Sequence, residues 1–308
     1  MEARLPADGA SVSGPMRALR RHVEGYVFIA PWLAGFLVLV AGPMAASVVI
    51  SLTSWDLLRP PTFVGLANFM RMWNDGLFWT ALYNTAYYTF LGVPLHLLAA
   101  LAVALCLNGN RRGTNLLRTA YYVPSITPAV ASALLWYYIL NADFGLANAL
   151  LRLLGLPTVG WLIDPRAAKP ALILMGLWAI GGAMVIFLAG LQSVPQTLYE
   201  AASLDGAGSW DRFRNVTLPL ISPVVFFNLV LGIIGSFQVF TSAFIMTDGG
   251  PQDATLFMVL LIYRHAFQFF RMGYAAALAW SLFAIVLLFT IVQFRVANRW
   301  VYYEGSPE

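Results

Sequence analysis

Six long apolar runs constrain this chain more than any other feature of its sequence. A helix needs roughly 20 mostly apolar residues to cross the hydrocarbon core of a bilayer. Because lipid offers no partner to an open backbone, each run is predicted to be a spanning helix. The sequence therefore predicts an all-α, polytopic membrane protein with six transmembrane helices. The runs cover about residues 26–54, 79–107, 118–140, 170–191, 224–247 and 273–297.

The composition agrees with this fold class and leaves no room for a second folded domain. The chain has 308 residues, of which 60% are hydrophobic and 10% are charged, whereas a soluble domain has about 25% charged residues. We expect a membrane domain at 26–299, between an N-terminal tail at 1–25 and a C-terminal tail at 300–308. Residues 1–15 are small and polar, and we expect them to be disordered. The first apolar run is longer than the roughly 7–15 apolar residues of a cleaved signal peptide.

The distribution of basic residues predicts the orientation of the chain in the membrane. Loops rich in arginine and lysine tend to stay in the cytoplasm, and one side of the predicted spans carries a modest excess of them. An even number of spans places both termini on this side, so we expect both tails to be cytoplasmic. The basic residues are scattered at helix ends, so no nucleic-acid partner is predicted. The expected cytoplasmic residues are Arg4, Arg17, Arg20, Arg21, Arg111, Arg112, Arg118, Arg212, Arg214, Arg295 and Arg299.

Three segments on the other side of the predicted spans contain short amphipathic stretches. The 56–77 and 141–168 segments each predict one short helix, and Gly155 follows the second of these. Residues 256–270 are predicted to form a helix in the membrane interface, because their charged side chains do not suit a clean span. The alternative is that 256–270 begins a long tilted sixth span.

Several of the predicted spans contain proline. Because proline removes one intrahelical hydrogen bond, it bends a helix, and bent helices can leave gaps that line a pathway. Proline is also simply tolerated in membrane helices, so both interpretations stay open. The residues concerned are Pro94, Pro124, Pro128, Pro219 and Pro223.

The chain lacks the residues that would let it drive transport by itself. Its one lysine, Lys169, is followed by Pro170, which excludes the phosphate-binding pattern G-x-x-x-x-G-K-[ST]. His96 is the one clear ionisable residue within the predicted spans, and we expect it to be a hydrogen-bonded core residue. Cys106, the single cysteine, is expected to be a small core residue, and neither catalytic residues nor metal ligands are predicted. Such a protein is either a passive channel or facilitator, or it receives energy from a partner.

A polar stretch between the fourth and fifth apolar runs reads LYEAASLDGAGSWDRFRNVTLPLISP. Pro195 suits the first turn of a helix. The pattern predicts this helix over about Gln196–Leu204, with Leu198, Ala201 and Ala202 on one face. The two alanines leave that face shallow, so another protein surface can approach it closely.

The sequence also predicts where this helix ends and where a second short helix begins. Asp205 and Gly206 are predicted to end the first helix, because glycine accepts the positive φ that is favoured just past a helix end. Ser209 is predicted to cap a second short helix, with Asp211 in its first turn, where the helix dipole favours an acidic side chain. Such a hairpin either stabilises the bundle or docks on another protein, and the residues alone leave both possibilities open.

The stretch EAASLDGAGSWDRFRNVTLPL resembles the EAA motif of ABC-importer permeases. The resemblance extends over nearly the whole chain, through FVGLANF, RTAYYVPSITP, GSFQVFTSAFIMTDGGP and AFQFFRMGYAAALAW. These stretches are similar to carbohydrate-uptake permeases of the maltose and glycerol-phosphate type, and to the first of their two permease subunits. The chain lacks the extra N-terminal helices and the large outer domain of the maltose version.

The resemblance implies a permease subunit with the type I ABC importer fold, in a bacterial or archaeal plasma (inner) membrane. It would form half of a heterodimeric pathway with a second permease subunit. Two cytoplasmic ATPase subunits would bind ATP and Mg, and this chain would bind no cofactor. An extracytoplasmic solute-binding protein would dock on the outer face through the 56–77, 141–168 and 248–270 segments.

The same resemblance implies roles for particular residues. The 192–222 segment would be the coupling segment, seated in a cleft of an ATPase subunit, with Glu200 paired to a basic residue there. Its coupling residues would be Glu200, Ala201, Ala202, Asp205 and Gly206.

A sugar or sugar-like solute would pass along residues of three spans. The maltose version has more polar residues at such positions, whereas Gly232 and Gly235 lie nearby in this chain, so solute specificity would rest mainly with the binding protein. A stand-alone channel or facilitator not driven by ATP is the alternative function. The substrate-path candidates are Ser125, Trp178, Ser236 and Gln238.

Overall fold

The computed structural model describes residues 15–109 and 112–302, with side chains from residue 26 onwards. The chain divides into two compact units between Ile50 and Ser51. The expected disorder of residues 1–15 concerns a part of the chain outside the described residues, except for Pro15, which begins a helix.

The first unit contains the first apolar run. Helix α1, Pro15–Phe36, continues through a π-helical segment, Leu37–Ala41, into helix α2, Gly42–Ser51. The wider turn precedes Pro43, whose ring would clash with the carbonyl group four residues back in a regular helix. The stretch Tyr26–Ser51 is 26 residues long and apolar enough to cross a membrane.

The second unit begins with a short two-stranded sheet and an amphipathic helix. Strand β1, Thr53–Ser54, pairs antiparallel with β2, Thr62–Phe63, and helix α3, Ala67–Trp73, follows. The buried amide of Asn68 donates hydrogen bonds to the carbonyl oxygens of Ser51, at 2.9 Å, and Thr53, at 2.8 Å. This helix lies within the 56–77 segment, where the sequence predicts one.

Helix α4, Gly76–Leu107, is the second span and the centre of the unit. It is 32 residues long, and Asp75 caps its start by accepting a 2.9 Å hydrogen bond from the backbone N–H of Leu77. The helix continues without a break through Pro94. Cys106 is exposed, so the prediction of a core cysteine is wrong: the buried face at this end follows Ala100, Ala104 and Leu107, and residue 106 falls beside it.

The third apolar run forms two helices rather than one. Helix α5, Thr114–Ile126, and helix α6, Ala129–Ile139, are separated at Thr127 and Pro128. Because a residue before proline is driven to an extended conformation, Thr127 has ψ 134° and ends α5. The prediction of a single helix over 118–140 is therefore wrong at this break.

The next two elements lie in the 141–168 segment and the fourth apolar run. Helix α7, Leu146–Leu153, is the predicted short helix. Helices α8, Pro165–Trp178, and α9, Gly181–Ser193, form the fourth span with a 49° bend between them. A Cβ atom on Gly181 would lie 2.3 Å from the carbonyl oxygen of Tyr121, so glycine is what lets α9 pack closely on α5.

A short helix follows, and then a bent fifth span. Pro219 and Pro223 flank the 64° bend between Ser209–Leu220 and Ser222–Phe237, since neither proline can donate a helical hydrogen bond. The elements are α10 (Gln196–Leu204), α11 (Ser209–Arg212), a π-helical segment (Phe213–Thr217), α12 (Leu218–Leu220), α13 (Ser222–Phe237) and α14 (Thr241–Met246).

The last helices of the chain decide whether residues 256–270 begin the sixth span. Helix α15, Met258–Tyr263, and the π-helical segment Arg264–Gln268 cover most of the predicted interface helix. Phe270 then takes a φ of 51° before helix α16, Met272–Ala297, begins. The alternative that 256–270 starts a continuous sixth span is therefore wrong.

Helix α16 defines two opposite ends of this unit. At about 1.5 Å per residue, its 26 residues extend over about 39 Å. Near its start, the hydroxyl of Tyr274 donates to Asp75, at the beginning of α4. Beyond its end, the backbone N–H of Tyr302 donates a 2.8 Å hydrogen bond to Ser222, at the beginning of α13. The α10 end and the end that holds Asp75 therefore lie at opposite ends of the bundle.

Candidate functional site

Helix α10 has the bounds that the sequence predicts. It begins after Pro195 and ends at Leu204. The turn that follows is a glycine cap: Gly206 has a φ of 81°, and the backbone N–H of Ala207 donates a 2.9 Å hydrogen bond to the carbonyl oxygen of Ala202. Glycine adopts this left-handed conformation at little cost, so the reversal of the chain is fixed locally.

The second short helix starts one residue earlier than predicted. Gly208 is its N-cap, and Ser209 is already helical. The carboxylate of Asp211 accepts a 3.2 Å hydrogen bond from the backbone N–H of Gly208. The prediction that Ser209 caps this helix is therefore wrong, because the Asp211 side chain reaches back to the cap instead.

Two side-chain contacts attach α10 to the foot of the fifth span. The hydroxyl groups of Tyr199 and Thr217 lie 2.9 Å apart. One guanidinium nitrogen of Arg212 donates a 3.1 Å hydrogen bond to Ser203. The first bond holds the hairpin of residues 196–212, hereafter the α10 hairpin, on the span that follows it, and the second holds the two short helices of the hairpin together.

The two faces of α10 differ. A cavity of about 410 Å³ lies beside one face of α10, formed by Leu198, Ala201, Ala202 and Asp205. Its other lining residues are Asn215, Val216, Pro219, Leu220 and Tyr302. Glu200 lies on the other side and is exposed. Leu204, 90% exposed, lies near Glu200 around the helix. Sequence reasoning did not single out Leu204, because only the fold reveals its exposure.

A second candidate feature is a cavity of about 220 Å³ inside the bundle. Helix α4 contributes Tyr88 and His96 to its lining, and the end of α13 contributes Ser236. Glycines widen it: Gly92, Gly176, Gly232 and Gly235 also line it.

Three polar side chains border this mostly apolar space: those of Tyr88, His96 and Ser236. Nδ1 of His96 lies 3.2 Å from the carbonyl oxygen of Gly176, as expected of a hydrogen-bonded core histidine. The buried Ser236 hydroxyl lies 2.9 Å from the hydroxyl of Thr89. A cavity with apolar walls and a few fixed hydroxyl and imidazole groups suits a small polar ligand. Sequence reasoning did not single out Tyr88, which no motif marks.

The four predicted substrate-path residues do not converge on one cavity. Ser236 lines the cavity inside the bundle, whereas Gln238 is exposed after the end of α13. Trp178 lines a separate cavity of about 310 Å³ next to Pro124 and packs edge-to-face on Trp136, with ring centroids 6.2 Å apart. Ser125 donates a 2.7 Å hydrogen bond to the Tyr122 carbonyl oxygen of its own helix.

Comparison with known proteins identifies the fold and the family. Among solved structures, the chain is similar to a chain of a bacterial alginate ABC transporter crystallised with an alginate pentasaccharide-bound periplasmic protein. The TM-score is 0.81 at 23% sequence identity, over 92% of this chain and 97% of that chain. This similarity shows the type I ABC importer permease fold.

Sequence similarity extends over the whole length. The chain is 42% identical over 310 residues to the probable ABC transporter permease protein YesP of Bacillus subtilis (strain 168), which covers 99% of this chain and 100% of YesP. It is 36% identical over 279 residues to the trehalose/maltose transport system permease protein MalF of Thermococcus litoralis, over 89% and 93% of the two chains. The family model of the binding-protein-dependent transport system inner membrane component matches residues 92–302. The chain therefore belongs to this family and is a multi-pass membrane permease subunit of an ATP-driven importer.

Proposed function

We propose that the chain forms half of the translocation pathway for a sugar or sugar-like solute, and that a cytoplasmic ATPase drives it through the α10 hairpin. The hairpin carries this proposal: it is short, polar, capped at its turn and attached to the foot of the fifth span. The solute class is supported by the names of relatives, which include the trehalose/maltose permease MalF and, at 35% identity, the lactose permease LacF of Rhizobium radiobacter.

The proposed partners follow from this role. A second permease subunit supplies the other half of the pathway, and two ATPase subunits bind ATP and Mg. A solute-binding protein delivers the solute at the end of the bundle opposite α10. The α10 end and both termini then face the cytoplasm, in a bacterial or archaeal plasma membrane.

In the coupling contact, Glu200 pairs with a basic residue of the ATPase subunit, and Leu204 enters an apolar part of the same cleft. An exposed leucine beside an exposed carboxylate is a combination that a protein partner can cover. Ala201 and Ala202 keep the opposite face shallow, Asp205 lies at its end, and Gly206 sets the turn.

Reconstitution tests the proposal. We expect proteoliposomes that contain both permeases and the ATPase subunits to take up maltose, trehalose or lactose only when ATP and the binding protein are present. Glu200→Ala should weaken the ATPase contact by about 2–5 kcal/mol, because it leaves one member of a charge pair without its partner. Asn298→Ala, at the same end of the bundle, is the matched control. Normal uptake by a correctly assembled Glu200→Ala complex would contradict the coupling role.

For the solute path, we propose the cavity bordered by Tyr88, His96 and Ser236. Ser236→Leu fills this cavity and should abolish uptake, whereas Gln238→Leu changes an exposed position outside it. If Gln238→Leu alone abolishes uptake, the path follows the exposed surface beyond α13 instead. Trp178 lines the second cavity, and Trp178→Phe tests whether that cavity takes part. Ser125→Ala tests the remaining candidate, which follows Pro124 in α5.

A further inference from the structure

A cavity of about 500 Å³ opens at the end of the bundle opposite the α10 hairpin. Its polar lining comes from two parts of the chain that are far apart in sequence. The region of α3 and α4 contributes Arg71 and Asp75, and the turn between α15 and α16 contributes Arg264, His265 and Arg271. We call these five residues and the space between them the arginine pocket. None of the five lines the cavity inside the bundle.

The pocket has an excess of positive charge. Arg264 is already paired: its guanidinium lies 3.6 Å from the carboxylate of Asp248. Asp75 is also engaged, because it accepts a 2.7 Å hydrogen bond from the Tyr274 hydroxyl and another from the start of α4. The charges of Arg71 and Arg271 therefore remain available to an anion.

Both available arginines rest on aromatic rings. The guanidinium of Arg71 lies 4.6 Å from the ring centroid of Tyr274, and that of Arg271 lies 6.0 Å from the centroid of Phe269. Neither has a carboxylate partner within the parts of the chain that the structure describes. Stacking holds a planar guanidinium in place and leaves its N–H groups free to donate.

The buried side chain of His265 is a second, independent indication that the pocket binds a ligand. Its side chain is buried, with 4% of the residue exposed, between Tyr274 and Phe269. Neither ring nitrogen has a hydrogen-bond partner among residues 15–109 and 112–302. Burial lowers the pKa of His265 to about 4, so the imidazole is neutral and keeps one N–H donor. Buried donors in proteins are nearly always paired, and His265 lines the pocket, so an acceptor that enters the pocket can pair this one.

We propose that the arginine pocket binds a carboxylate side chain of the solute-binding protein, an inference that rests on the proposed function. Guanidinium groups bind carboxylates through two parallel N–H···O bonds. The pocket opens beside the exposed Arg71 and Arg271, away from the cavity inside the bundle, so a docking protein reaches it more readily than a solute within the pathway. Asp75 and Arg264, each held by its own partners, stabilise the two sides of the pocket. The guanidinium groups of Arg71 and Arg271 bind the carboxylate.

The test uses the full transporter in nanodiscs and the solute-binding protein that stimulates its ATPase activity. Arg71→Glu and Arg271→Glu should each raise the dissociation constant of that protein about tenfold or more and reduce its dependence on ionic strength. Arg271→Lys, which keeps the charge but loses the planar donor pair, should have a smaller effect. Arg295→Glu, the same charge reversal at the other end of α16, should leave the dissociation constant unchanged.

Two further variants separate a specific contact from general attraction. His265→Phe keeps a ring between Tyr274 and Phe269 and should weaken docking several-fold by removing the N–H donor. Reversal of one acidic residue of the binding protein to arginine should restore its binding to the Arg271→Glu transporter. Size-exclusion chromatography shows whether each variant is assembled.

The outcomes are distinct. If Arg71→Glu and Arg271→Glu transporters bind the protein with wild-type affinity and salt dependence, the inference is overturned and the proposed function stands. It is also overturned if free glucuronate competes for the pocket while these variants lose only the uptake of acidic sugars. A wild-type transporter that no solute-binding protein stimulates contradicts the proposed function itself.

Discussion

The α10 hairpin and the arginine pocket lie at opposite ends of the bundle and are built in opposite ways. The hairpin is made from neighbours in sequence: Tyr199 with Thr217, Arg212 with Ser203, and Gly208 with Asp211. The pocket joins residues near 71–75 to residues near 264–274, and the Tyr274–Asp75 hydrogen bond spans 199 positions. A local element can be fixed before the bundle forms, whereas the pocket exists only after the second and sixth spans have packed together.

The largest expected effect is at the pocket end. A Cβ atom on Gly273 would lie 1.8 Å from the carbonyl oxygen of Thr53, which is backbone and cannot rotate away. Gly273→Ala should therefore lower the free energy of unfolding by about 3 kcal/mol, since overpacking forces the backbone apart. Thermal unfolding of the purified chain measures this loss. The matched control is Gly182→Ala, where no atom lies within 4 Å of the added Cβ, and equal losses would contradict the close packing.

Acidification should also affect the pocket end before the hairpin. Burial lowers the pKa of His265 to about 4; Asp75 opposes this shift, and Arg271 and Arg71 add to it. Because an unfolded histidine has a pKa of about 6.5, the unfolded state binds more protons between these values. The stabilisation is therefore complete above about pH 6.5 and is lost as the pH falls toward 4.

Hydrogen exchange of residues 258–275 at pH 7 and pH 5 measures this difference, with residues 196–212 as the internal reference. We expect exchange, corrected for its intrinsic pH dependence, to accelerate in the first segment only. His265→Gln should remove most of the acceleration, and an equal acceleration in both segments would contradict the assignment to His265.

At the hairpin, the expected effects on stability are smaller. Gly206→Ala forces an alanine to adopt a backbone φ of 81°, which should destabilise the turn by about 1 kcal/mol. Because this cost falls on the turn and not on the bundle, transport should decline more than the thermal midpoint does. Uptake and the thermal midpoint are both measured for Gly206→Ala and for Gly273→Ala. If Gly206→Ala lowered the thermal midpoint more than Gly273→Ala does, the comparison between the two ends would be reversed.

The smallest effect is expected for Tyr199→Phe. The change removes one hydroxyl–hydroxyl contact, for a cost of about 0.5 kcal/mol. Hydrogen exchange of α10 should rise slightly while the global thermal midpoint stays constant. Tyr83→Phe, at an exposed tyrosine of α4, is the control. If Tyr199→Phe lowered the thermal midpoint and Tyr83→Phe did not, the hairpin would support the stability of the bundle.

The same contrast explains which features could be predicted from the sequence. Apolar length, proline and glycine act locally, so the fold class and the bounds of α10 were predictable. The family was predicted from the resemblance of the EAA stretch and of the other motifs. The break at Pro128 is a local effect of proline, but the sequence interpretation missed it because membrane helices also tolerate proline, as α4 does at Pro94. The exposure of Cys106 depends on how α4 packs, and the sequence interpretation missed that too. The arginine pocket and the cavity at Tyr88 bring together residues from distant spans, and no spacing in the sequence marks them. The role of Glu200 and the substrate-path roles of Ser125, Trp178, Ser236 and Gln238 remain predictions.

Cysteine cross-linking tests the central claim, the coupling of this chain to an ATPase through the α10 hairpin, most directly. The chain has one cysteine, so Cys106→Ser provides a background for Leu204→Cys on the hairpin and Leu153→Cys on α7; these leucines are 90% and 84% exposed. With a bifunctional maleimide and the active complex, we predict that Leu204→Cys links to an ATPase subunit and that Leu153→Cys does not. A transporting complex in which Leu153→Cys links to the ATPase, or in which Leu204→Cys never does, would contradict the account.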